Sequence, residues 1–281
     1  MTQKKIDINF ILSLVIEAGE ISKKYFCQSS KQDIKFKKDK SEVTKADREI
    51  DDFFNTKLKL YTESTSIISE ENSFKENKNS LYSENYFVID PLDGTRAFIN
   101  NSDQHTINFS YVKNNMLMFS IIYAPQKKII FFSNKNILKK GIVHNKLIKN
   151  INIMKYDKDN ISKPIRVLLT KRLEEKEKIY KELDKQKISY NSMHISSSLK
   201  FCYMAENFSD IYIRMVNIKF WDVIAGFHIC MASGLSVYNF DNTCLSNYSI
   251  SDIYKENLIK NNFSVDKFYI KHKNLPYKNI L

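Results

Sequence analysis

Hydrophobic residues recur at helical spacing in two stretches near the start of the 281-residue chain. The first stretch spans residues 8 to 26, and the second follows Thr44, which we expect to cap a helix. Apolar positions that recur every three or four residues predict amphipathic helices packed on the body of the protein. Between the two, residues 29 to 42 are polar, rich in lysine and without a consistent period, which predicts a mobile loop. The apolar positions of these helices are Ile8, Ile11, Leu12, Val15, Ile16, Ile21 and Phe26, then Ala46, Ile50, Phe53, Phe54 and Leu58.

Shorter apolar runs from residue 65 onward are typical of β-strands. Residues 65 to 69 form one such run, and residues 87 to 89 form another, which we expect to end at Asp90 because Pro91 cannot donate a further ladder hydrogen bond. Residues 72 to 85 are polar and predict a loop. Further predicted strands are 106 to 112 and 117 to 124, a hairpin around Lys113-Asn-Asn115, and then 128 to 133.

The pattern breaks into Lys, Asn and Asp around residues 145 to 163, which indicates a boundary between two subdomains. We therefore predict an N-terminal α+β subdomain, residues 1 to 150, and a C-terminal α/β subdomain, residues 151 to 281. The fold class is α+β, with a larger, mostly antiparallel sheet. Predicted elements of the second part are strands 165 to 169 and 211 to 215, a helix 173 to 183, and a helix 220 to 233 that ends at Gly234.

Composition narrows the classes of function. Net charge is +12, but lysines are scattered along the chain and the few arginines are isolated, which argues against nucleic-acid binding. The positive charge would steer an anionic substrate and would attract an anionic membrane surface weakly. Four cysteines without metal-ligand spacing predict buried thiols in a reducing cytoplasm. Because of the positive charge, peripheral attachment to the inner membrane is an alternative location. The sequence has no run of about 18 apolar residues, so it predicts no membrane span. The sequence does not indicate the oligomeric state.

The candidate chemistry lies directly after the strand at residues 87 to 89. Asp90 and Asp93 flank Pro91 and precede Gly94, so a turn can point both carboxylates to one side. Two converging anions repel unless a cation lies between them, and oxygen ligands on an open turn suit Mg²⁺. The alternative is an ordinary Asx-type turn, since Asp, Pro and Gly are common turn residues.

Four motifs in order carry a family resemblance. Asp90-Pro-Leu-Asp-Gly-Thr95 resembles the D-P-[IL]-D-G-T signature of the lithium-sensitive, Mg²⁺-dependent phosphomonoesterases, a superfamily with inositol monophosphatase, bisphosphate nucleotidase and fructose bisphosphatase among its members. The other three motifs are Val43-Thr-Lys-Ala-Asp47, Ser69-Glu-Glu71 and Trp221-Asp-Val-Ile-Ala-Gly226. The resemblance covers roughly residues 8 to 240 and implies a layered αβαβα sandwich with a second, smaller sheet.

The resemblance also implies roles for residues. Glu70, Asp90 and the Leu92 carbonyl would bind one Mg²⁺, while Asp90, Asp93 and Asp222 would bind a second, and a third, weaker ion could lie near Glu70. Asp47 and Thr95 would orient the attacking water, and the amides of Gly94 and Thr95 would contact the phosphate. From the residues alone, Asp47 and Asp222 could instead complement a helix dipole, since each lies in a first helical turn.

Two features bear on the substrate. Residues 196 to 206 are similar to the G-S-S-L-K-F-C…A-E segment of the bisphosphate nucleotidases, with Ser196 in place of the Gly, and the segment around Arg214 is similar to their L-Y-x-R. A guanidinium there suits a second phosphate, although Arg214 could instead be a solvated strand residue. The predicted substrate-binding residues are Gly94, Thr95, Ser197, Ser198, Lys200 and Arg214.

The activity that this likeness implies is hydrolysis of the 3'-phosphate of 3'-phosphoadenosine 5'-phosphate, a step in sulfur metabolism. Inositol monophosphatase, or another sugar-phosphate phosphatase, is the first alternative. A non-catalytic binding protein is the second alternative.

Overall fold

A computed structural model describes residues 6–27, 35–36, 42–62, 65–157, 159–170, 173–245 and 249–275. Helices α1 (Ile8–Tyr25) and α2 (Lys45–Tyr61) form as predicted and pack on each other. Thr44 caps α2 with a capping box, since its side chain accepts from the Asp47 amide and the Asp47 carboxylate accepts from the Thr44 amide. This reciprocal cap fixes the position of Asp47 at the start of the helix.

The large sheet has seven strands in the order β3-β4-β5-β6-β7-β8-β9, and all neighbours are antiparallel except β3 and β4. The predicted hairpin forms between β5 and β6, where Asn114 and Asn115 both have positive φ, as a tight two-residue turn requires. The strands of the large sheet are β3 (Ser66–Ser69), β4 (Asn85–Asp93), β5 (Thr106–Lys113), β6 (Met116–Ala124), β7 (Ile129–Asn134), β8 (Ile137–His144) and β9 (Leu147–Met154).

The second sheet has five strands in the order β11-β10-β12-β16-β14, with parallel pairing around β10 and antiparallel pairing of β16 with both of its neighbours. Its strands are β10 (Ile165–Leu169), β11 (Tyr190–His194), β12 (Ile211–Arg214), β14 (Ser236–Asn239) and β16 (Phe268–Lys271). Two short ribbons pair β1 (Lys35–Phe36) with β2 (Glu42–Val43), and β13 (Ile218–Lys219) with β15 (Ser264–Val265). The remaining helices are α3 (Phe74–Leu81), α4 (Thr95–Ile99), α5 (Leu173–Lys185), α6 (Leu199–Ala205), α7 (Phe220–Ser233) and α8 (Asp252–Lys260).

Helix α7 lies between the two sheets and is buried on nearly all sides. It contacts β4 to β8 of the large sheet and β14 of the smaller sheet, and one hydrophobic cluster spans all three layers. A second cluster joins α1 and α2 to the opposite face of the large sheet. The predicted α+β layered sandwich with a larger, mostly antiparallel sheet and a smaller second sheet is confirmed.

Three local predictions were wrong. The predicted loop at residues 72 to 85 contains α3, which Ser73 caps with a capping box to Glu76. Strand β4 does not stop at Asp90 but continues to Asp93, because a bulge between these residues accommodates Pro91. The four thiols are not all buried, since Cys27 and Cys244 are exposed.

Two further predictions stay predictions. The mobile loop predicted at residues 29 to 42 lies largely outside the described residues, apart from the ribbon of β1 and β2. The proposed division between residues 150 and 151 falls within β9, and the chain changes sheet between Met154 and Ile165. Over the described part of the chain, the helices do not combine the length and apolarity that crossing a bilayer requires.

Candidate active site

Three carboxylates from three elements meet at one edge of the large sheet. Glu70 follows β3, Asp90 lies near the end of β4, and Asp222 lies in the first turn of α7. One carboxylate oxygen from each of these residues lies within 4.8 Å of the other two. The parallel pairing of β3 and β4 brings the first two together, and α7 supplies the third from the layer between the sheets.

Asp90 is the buried member of these three carboxylates. Its side chain is buried, Oδ1 accepts from the Leu92 amide at 3.0 Å, and Oδ2 has no hydrogen-bond partner among the described residues. Burial, followed by the charges of Glu70, Asp93 and Asp222, raises the pKa of Asp90 well above its ordinary value. A buried oxygen without a donor and with several anions nearby fits a divalent cation that binds oxygen ligands.

Asp222 shows the same electrostatic signature. Burial, followed by the charges of Asp93 and Glu70, raises its pKa well above the ordinary value, although Arg214 acts in the opposite direction. Favourable interaction with the helix dipole would lower a carboxyl pKa, so it does not dominate here. The donor set of this site therefore fits a metal centre better than it fits a helix cap.

Asp93 is held by side chains from two other segments. Its Oδ2 accepts from the Ser198 hydroxyl at 2.6 Å and from Asn108 Nδ2 at 3.3 Å. The Ser198 hydroxyl oxygen also lies 2.9 Å from the Asp222 carbonyl and 2.9 Å from Asn108 Nδ2. Because a serine hydroxyl has one proton, the Asn108 amide donates to Ser198 while Ser198 donates onward to Asp93. Ser198 thus connects β4, β5 and α7 at the site.

Asp47 reaches the site from the start of α2. Its Oδ2 accepts from the Thr44 amide at 2.8 Å and from the Thr44 hydroxyl at 2.5 Å. Its Oδ1 lies 3.2 Å from the Thr95 hydroxyl, which is also 3.2 Å from the Leu92 carbonyl. Burial raises the pKa of Asp47 to about 7, against the opposing effect of its hydrogen bonds from Thr44. Asp47 is therefore placed to exchange a proton near neutral pH.

Gly94 has the backbone conformation that this turn requires. Its φ is +89°, in the left-handed region, and it directly precedes α4 at Thr95. A Cβ at this position would lie 3.0 Å from the Gln104 carbonyl and 3.1 Å from Ser197 Cβ. The turn therefore needs glycine both for its conformation and for its close contact with two neighbouring segments.

A second wall of the site consists of residues 196 to 200 together with Glu175 and Arg214, and we call it the arginine wall. Arg214 is buried, not solvated, so that alternative was wrong. Its Nη1 lies 3.6 Å from Glu175 Oε2, and Glu175 Oε1 accepts from the Met215 amide at 2.6 Å. The Arg214 guanidinium also donates through Nε to the Val216 carbonyl at 3.2 Å.

Lys200 lies inside this wall rather than at its surface. Its ammonium donates to the Ser197 carbonyl at 2.6 Å and to the Ile195 carbonyl at 3.4 Å. Burial lowers the pKa of Lys200 to about 8. Ser197 has a φ of +54°, so the lysine stabilises a turn that a glycine would adopt more easily. Lys200 therefore organises the backbone of the predicted substrate loop.

The structure brings the predicted site residues together in two neighbouring groups, one around the carboxylates and one at the arginine wall. Sequence reasoning missed Asn108 and Glu175, which are both buried and contact predicted site residues. Asn108 left a weak signal, because asparagine is uncommon in the middle of a strand. Glu175 left none, since it lies in a charged helix where an acidic residue is ordinary.

Comparison with known proteins gives several matches of similar extent. One relative is the 3'(2'),5'-bisphosphate nucleotidase CysQ of Buchnera aphidicola, 29% identical over 246 residues that cover 86% of this chain and 87% of the relative. The CysQ of Haemophilus influenzae is 29% identical over 221 residues, covering 76% of this chain and 77% of that protein. The CysQ of Escherichia coli K12 is 24% identical and covers 82% of this chain and 89% of that protein.

Solved structures show the same fold. The IMPase of Thermotoga maritima superposes with a TM-score of 0.75 at 16% identity, covering 97% of this chain and 94% of that one. CysQ from Bacteroides thetaiotaomicron, a bacterial member of the inositol monophosphatase family, gives a TM-score of 0.70 at 21% identity, with 94% and 96% coverage. The model of the inositol monophosphatase family matches residues 5 to 273, nearly the whole sequence. The chain therefore belongs to the inositol monophosphatase family.

Proposed function

We propose that this chain is a phosphomonoesterase that uses Mg²⁺ to hydrolyse the 3'-phosphate of 3'-phosphoadenosine 5'-phosphate, giving AMP and phosphate. The observation that carries the proposal is the close cluster of Glu70, Asp90 and Asp222, in which Asp90 is buried and the other two are partly buried. Anions this close are tolerated only with bound cations or bound protons. The class of substrate is supported by the family and by the nucleotidases among its relatives. We place the enzyme in the cytoplasm.

The proposed metal ligands are the residues that the sequence predicts for this role. Glu70, Asp90 and the Leu92 carbonyl would hold one Mg²⁺, while Asp90, Asp93 and Asp222 would hold a second, and a third, weaker ion would lie near Glu70. When bound, Mg²⁺ supplies neutralisation of the phosphate charge and a water molecule of lowered pKa. The orphaned Oδ2 of Asp90 supports this assignment, because it lies buried without a donor among the described residues.

Asp47 and Thr95 would act on the attacking water. The Thr95 hydroxyl can donate to Asp47 Oδ1 or to the Leu92 carbonyl, both 3.2 Å away, and its oxygen stays available to accept from water. Asp47, with a pKa near 7, would take the proton as the phosphorus–oxygen bond forms. In this arrangement the cap of α2 also serves to orient the general base, because Thr44 holds the other carboxylate oxygen.

The phosphoryl oxygens would be held by the amides of Gly94 and Thr95 at the turn after β4. Ser197 and Lys200 would shape the opposite side, where Lys200 fixes the carbonyls of the substrate loop. Ser198 would act mainly by holding Asp93. Arg214 would receive the second phosphate of the nucleotide, for which a planar guanidinium is well suited.

An inositol monophosphatase is the second candidate, and one observation favours it. The Arg214 guanidinium is buried and already has an anionic neighbour in Glu175, which reduces its pull on a second phosphate. A substrate with a single phosphate would not need this arginine. The two candidates use the same carboxylates and differ only in what the arginine wall contacts.

The direct test is phosphate release by the purified protein, measured with malachite green over a panel of nucleotide, inositol and sugar phosphates. We expect Mg²⁺-dependent, Li⁺-sensitive release, fastest from 3'-phosphoadenosine 5'-phosphate. The inactive variant is Asp93→Asn, and the matched control is Asp266→Asn, an exposed aspartate outside the site. A higher kcat/KM for inositol 1-phosphate would establish the second candidate.

Failure of the whole proposal would have a clear signature. It would be overturned if neither substrate released phosphate with Mg²⁺ while the protein remained folded by circular dichroism. Equal activity of Asp93→Asn and Asp266→Asn would also contradict it, because it would show that the cluster does not perform the chemistry. In either event a binding protein would become the better interpretation.

A further inference from the structure

Glu70 lies on a different kind of backbone from the other proposed metal ligands. The others belong to β4, which pairs with a strand on each side, and to α7, which lies between the two sheets. Glu70 follows β3, an edge strand, and lies in a tight turn that the Asn72 amide closes by donating to the Ser69 carbonyl at 3.2 Å. The position of the Glu70 carboxylate therefore depends on what holds this turn.

Helix α3 covers the open side of β3 with polar side chains. Asn77 is buried, its Oδ1 accepts from the Ser69 amide at 3.0 Å, and its Nδ2 donates to the Ser69 carbonyl at 2.8 Å. A neighbouring antiparallel strand would bind the amide and the carbonyl of one residue in the same way. One turn later in α3, the Ser80 hydroxyl donates to the Ile67 carbonyl at 3.0 Å. Side chains of α3 thus take the place of a neighbouring strand.

Ser69, the residue before Glu70, is held at each of its polar groups. It is buried, its hydroxyl donates to Asp51, and its Oγ accepts from the Glu71 amide at 3.3 Å. Together with the two hydrogen bonds to Asn77, these contacts fix the amide, the carbonyl and the hydroxyl of Ser69. The backbone that enters the turn is therefore set before the chain reaches Glu70.

The geometry of Mg²⁺ makes this support important. Mg²⁺ requires ligand oxygens in a near-ideal octahedron at about 2.0–2.1 Å. Loss of the Asn77 side-chain amide would leave the buried Ser69 amide without its acceptor, and such a group costs free energy that the turn relieves by moving. Even a small shift of Glu70 would then weaken an ion that is bound in so strict a geometry.

We propose that Asn77 is a positioning residue of the metal site, which holds the turn so that the Glu70 carboxylate reaches the ion shared with Asp90. The inference rests on the proposed function, because it takes Glu70 as a ligand of Mg²⁺. The alternative is that Asn77 only covers the edge of β3, as Ser80 does farther from the turn. In that case both residues would contribute to stability, and neither would affect metal affinity.

The test is isothermal titration calorimetry of the purified full chain with Mg²⁺ alone. Asn77→Ala should weaken Mg²⁺ binding about tenfold, the lower end of the range for groups that hold metal ligands, because Asn77 holds the backbone beside the ligand. Ser80→Ala is the matched control, since it removes a hydrogen bond from the same helix to the same strand. It should lower the Tm in EDTA by about 2–4 °C and leave the Mg²⁺ affinity within about twofold of wild type.

A double-variant cycle shows whether Asn77 acts through Glu70. In a chain that already carries Glu70→Ala, the further change Asn77→Ala should weaken Mg²⁺ binding by less than about twofold, because the side chain that Asn77 positions is absent. A general loosening of the fold would weaken binding equally in both backgrounds. Phosphate release gives a second measurement, in which Asn77→Ala should need about tenfold more Mg²⁺ for half-maximal rate and should approach the wild-type rate at saturating Mg²⁺.

Three results would overturn this inference while leaving the proposed function intact. They are wild-type Mg²⁺ affinity in Asn77→Ala, an equal loss of affinity in Ser80→Ala, and an undiminished effect of Asn77→Ala in the Glu70→Ala background. Failure of the proposed function looks different, because the wild-type chain itself would then bind no Mg²⁺ in the titration. That result would remove the metal assignment of Glu70 and this inference with it.

Discussion

The carboxylate cluster and the arginine wall are neighbours, yet their charges are arranged in opposite ways. In the cluster, Glu70, Asp90 and Asp222 lie within 4.8 Å of one another, and one oxygen of Asp90 has no donor among the described residues. In the wall, Arg214 lies beside Glu175, and Lys200 donates to two backbone carbonyls. The first region could hold a cation from outside the chain, whereas the second already contains partners for its cations.

This difference separates chemistry from selectivity. A site with unbalanced anions stores repulsion that a bound cation relieves, so its residues determine metal affinity and rate. A site whose cations are paired within the protein exerts a weaker pull on an incoming anion, so its geometry must supply the discrimination. Changes in the cluster should therefore have large effects on every substrate, and changes in the wall should have smaller effects that depend on the substrate.

The largest expected effect is that of Asp90→Asn. Loss of a carboxylate predicted to bridge two ions should lower kcat/KM by about 10³-fold or more, for all phosphate esters alike. Without Mg²⁺, the same variant should be more stable than wild type by about 1 kcal/mol or more, because a repelling buried charge is gone. Thermal unfolding with EDTA and with Mg²⁺ measures the second effect, and Mg²⁺ should raise the Tm of wild type but not that of Asp90→Asn.

Asp51→Asn is the matched control for the gain of stability that we expect in Asp90→Asn without Mg²⁺. Asp51 is buried in α2 and accepts hydrogen bonds from Ser69 Oγ and from Asn55 Nδ2 at 2.9 Å. Its charge is compensated by donors, so its neutralisation should cost about 1 kcal/mol of stability with or without Mg²⁺. If Asp90→Asn were destabilising in EDTA to the same extent, the cluster would not be a region of stored repulsion.

His228 extends the comparison along α7, because it lies on the same helix as Asp222 but is satisfied within the protein. Its Nδ1 lies 3.0 Å from Ser120 Oγ and its Nε2 lies 3.0 Å from the Lys135 carbonyl. Burial lowers the pKa of His228 to about 4 from the ordinary 6.5. The unfolded chain therefore binds a proton below pH 6.5 that the folded chain binds only near pH 4, so stability is present above pH 6.5 and is lost as pH falls toward 4.

Between pH 7 and pH 5 this one histidine should cost about 2 kcal/mol of stability. The measurement is urea unfolding at both pH values for wild type, His228→Gln and His144→Gln, with His144 chosen as an exposed histidine. His228→Gln should be less stable than wild type at pH 7 but should lose about 2 kcal/mol less on acidification. The same pH slope in His228→Gln and in His144→Gln would mean that His228 titrates normally in the folded protein.

Asn108→Ala tests how the cluster is held rather than what it binds. Loss of the amide removes the hydrogen bonds to Ser198 and Asp93, so the orientation of Asp93 is less constrained. Partners of metal ligands typically contribute 10- to 100-fold to metal affinity, and we expect a loss in that range. Calorimetric titration with Mg²⁺ measures it without substrate. Asn85→Ala removes a buried asparagine at the other end of β4, and it should leave the Mg²⁺ affinity unchanged.

The sequence predicted the parts of the fold and site that local signals determine. Thr44, Gly234 and the Asn114-Asn115 turn each specify a cap or turn through their own side chain or conformation, and all three formed as predicted. The loop predicted in place of α3 was an avoidable error, since Ser73 and Glu76 have the spacing of a capping box. Strands β8 and β9 were not predicted, because Lys and Asn interrupt their apolar pattern.

Contacts between distant segments could not be predicted in the same way. The motif order indicated that Asp90 and Asp222 belong together, but the distance of Glu175 from Arg214 depends on where α5 packs on the second sheet. Likewise, Asn108 contacts Asp93 because β5 pairs with the end of β4 after a bulge. A bulge shifts register by one residue, and no pattern of hydrophobicity specifies which residue then faces the site.

Arg214→Lys should have the smallest effect and the most specific one. Lysine keeps the charge but lacks the planar fork that matches a phosphate, so KM for 3'-phosphoadenosine 5'-phosphate should rise about tenfold. For inositol 1-phosphate, which has no second phosphate, KM should change by less than about twofold.

Glu175→Gln should act in the opposite direction and lower KM for the bisphosphate, because its amide oxygen can still accept from Met215 while the competing charge is removed. If Arg214→Lys raised both KM values equally, Arg214 would support the shape of the wall and would not contact the second phosphate. Selectivity would then have to come from the loop that Lys200 holds, and not from the arginine.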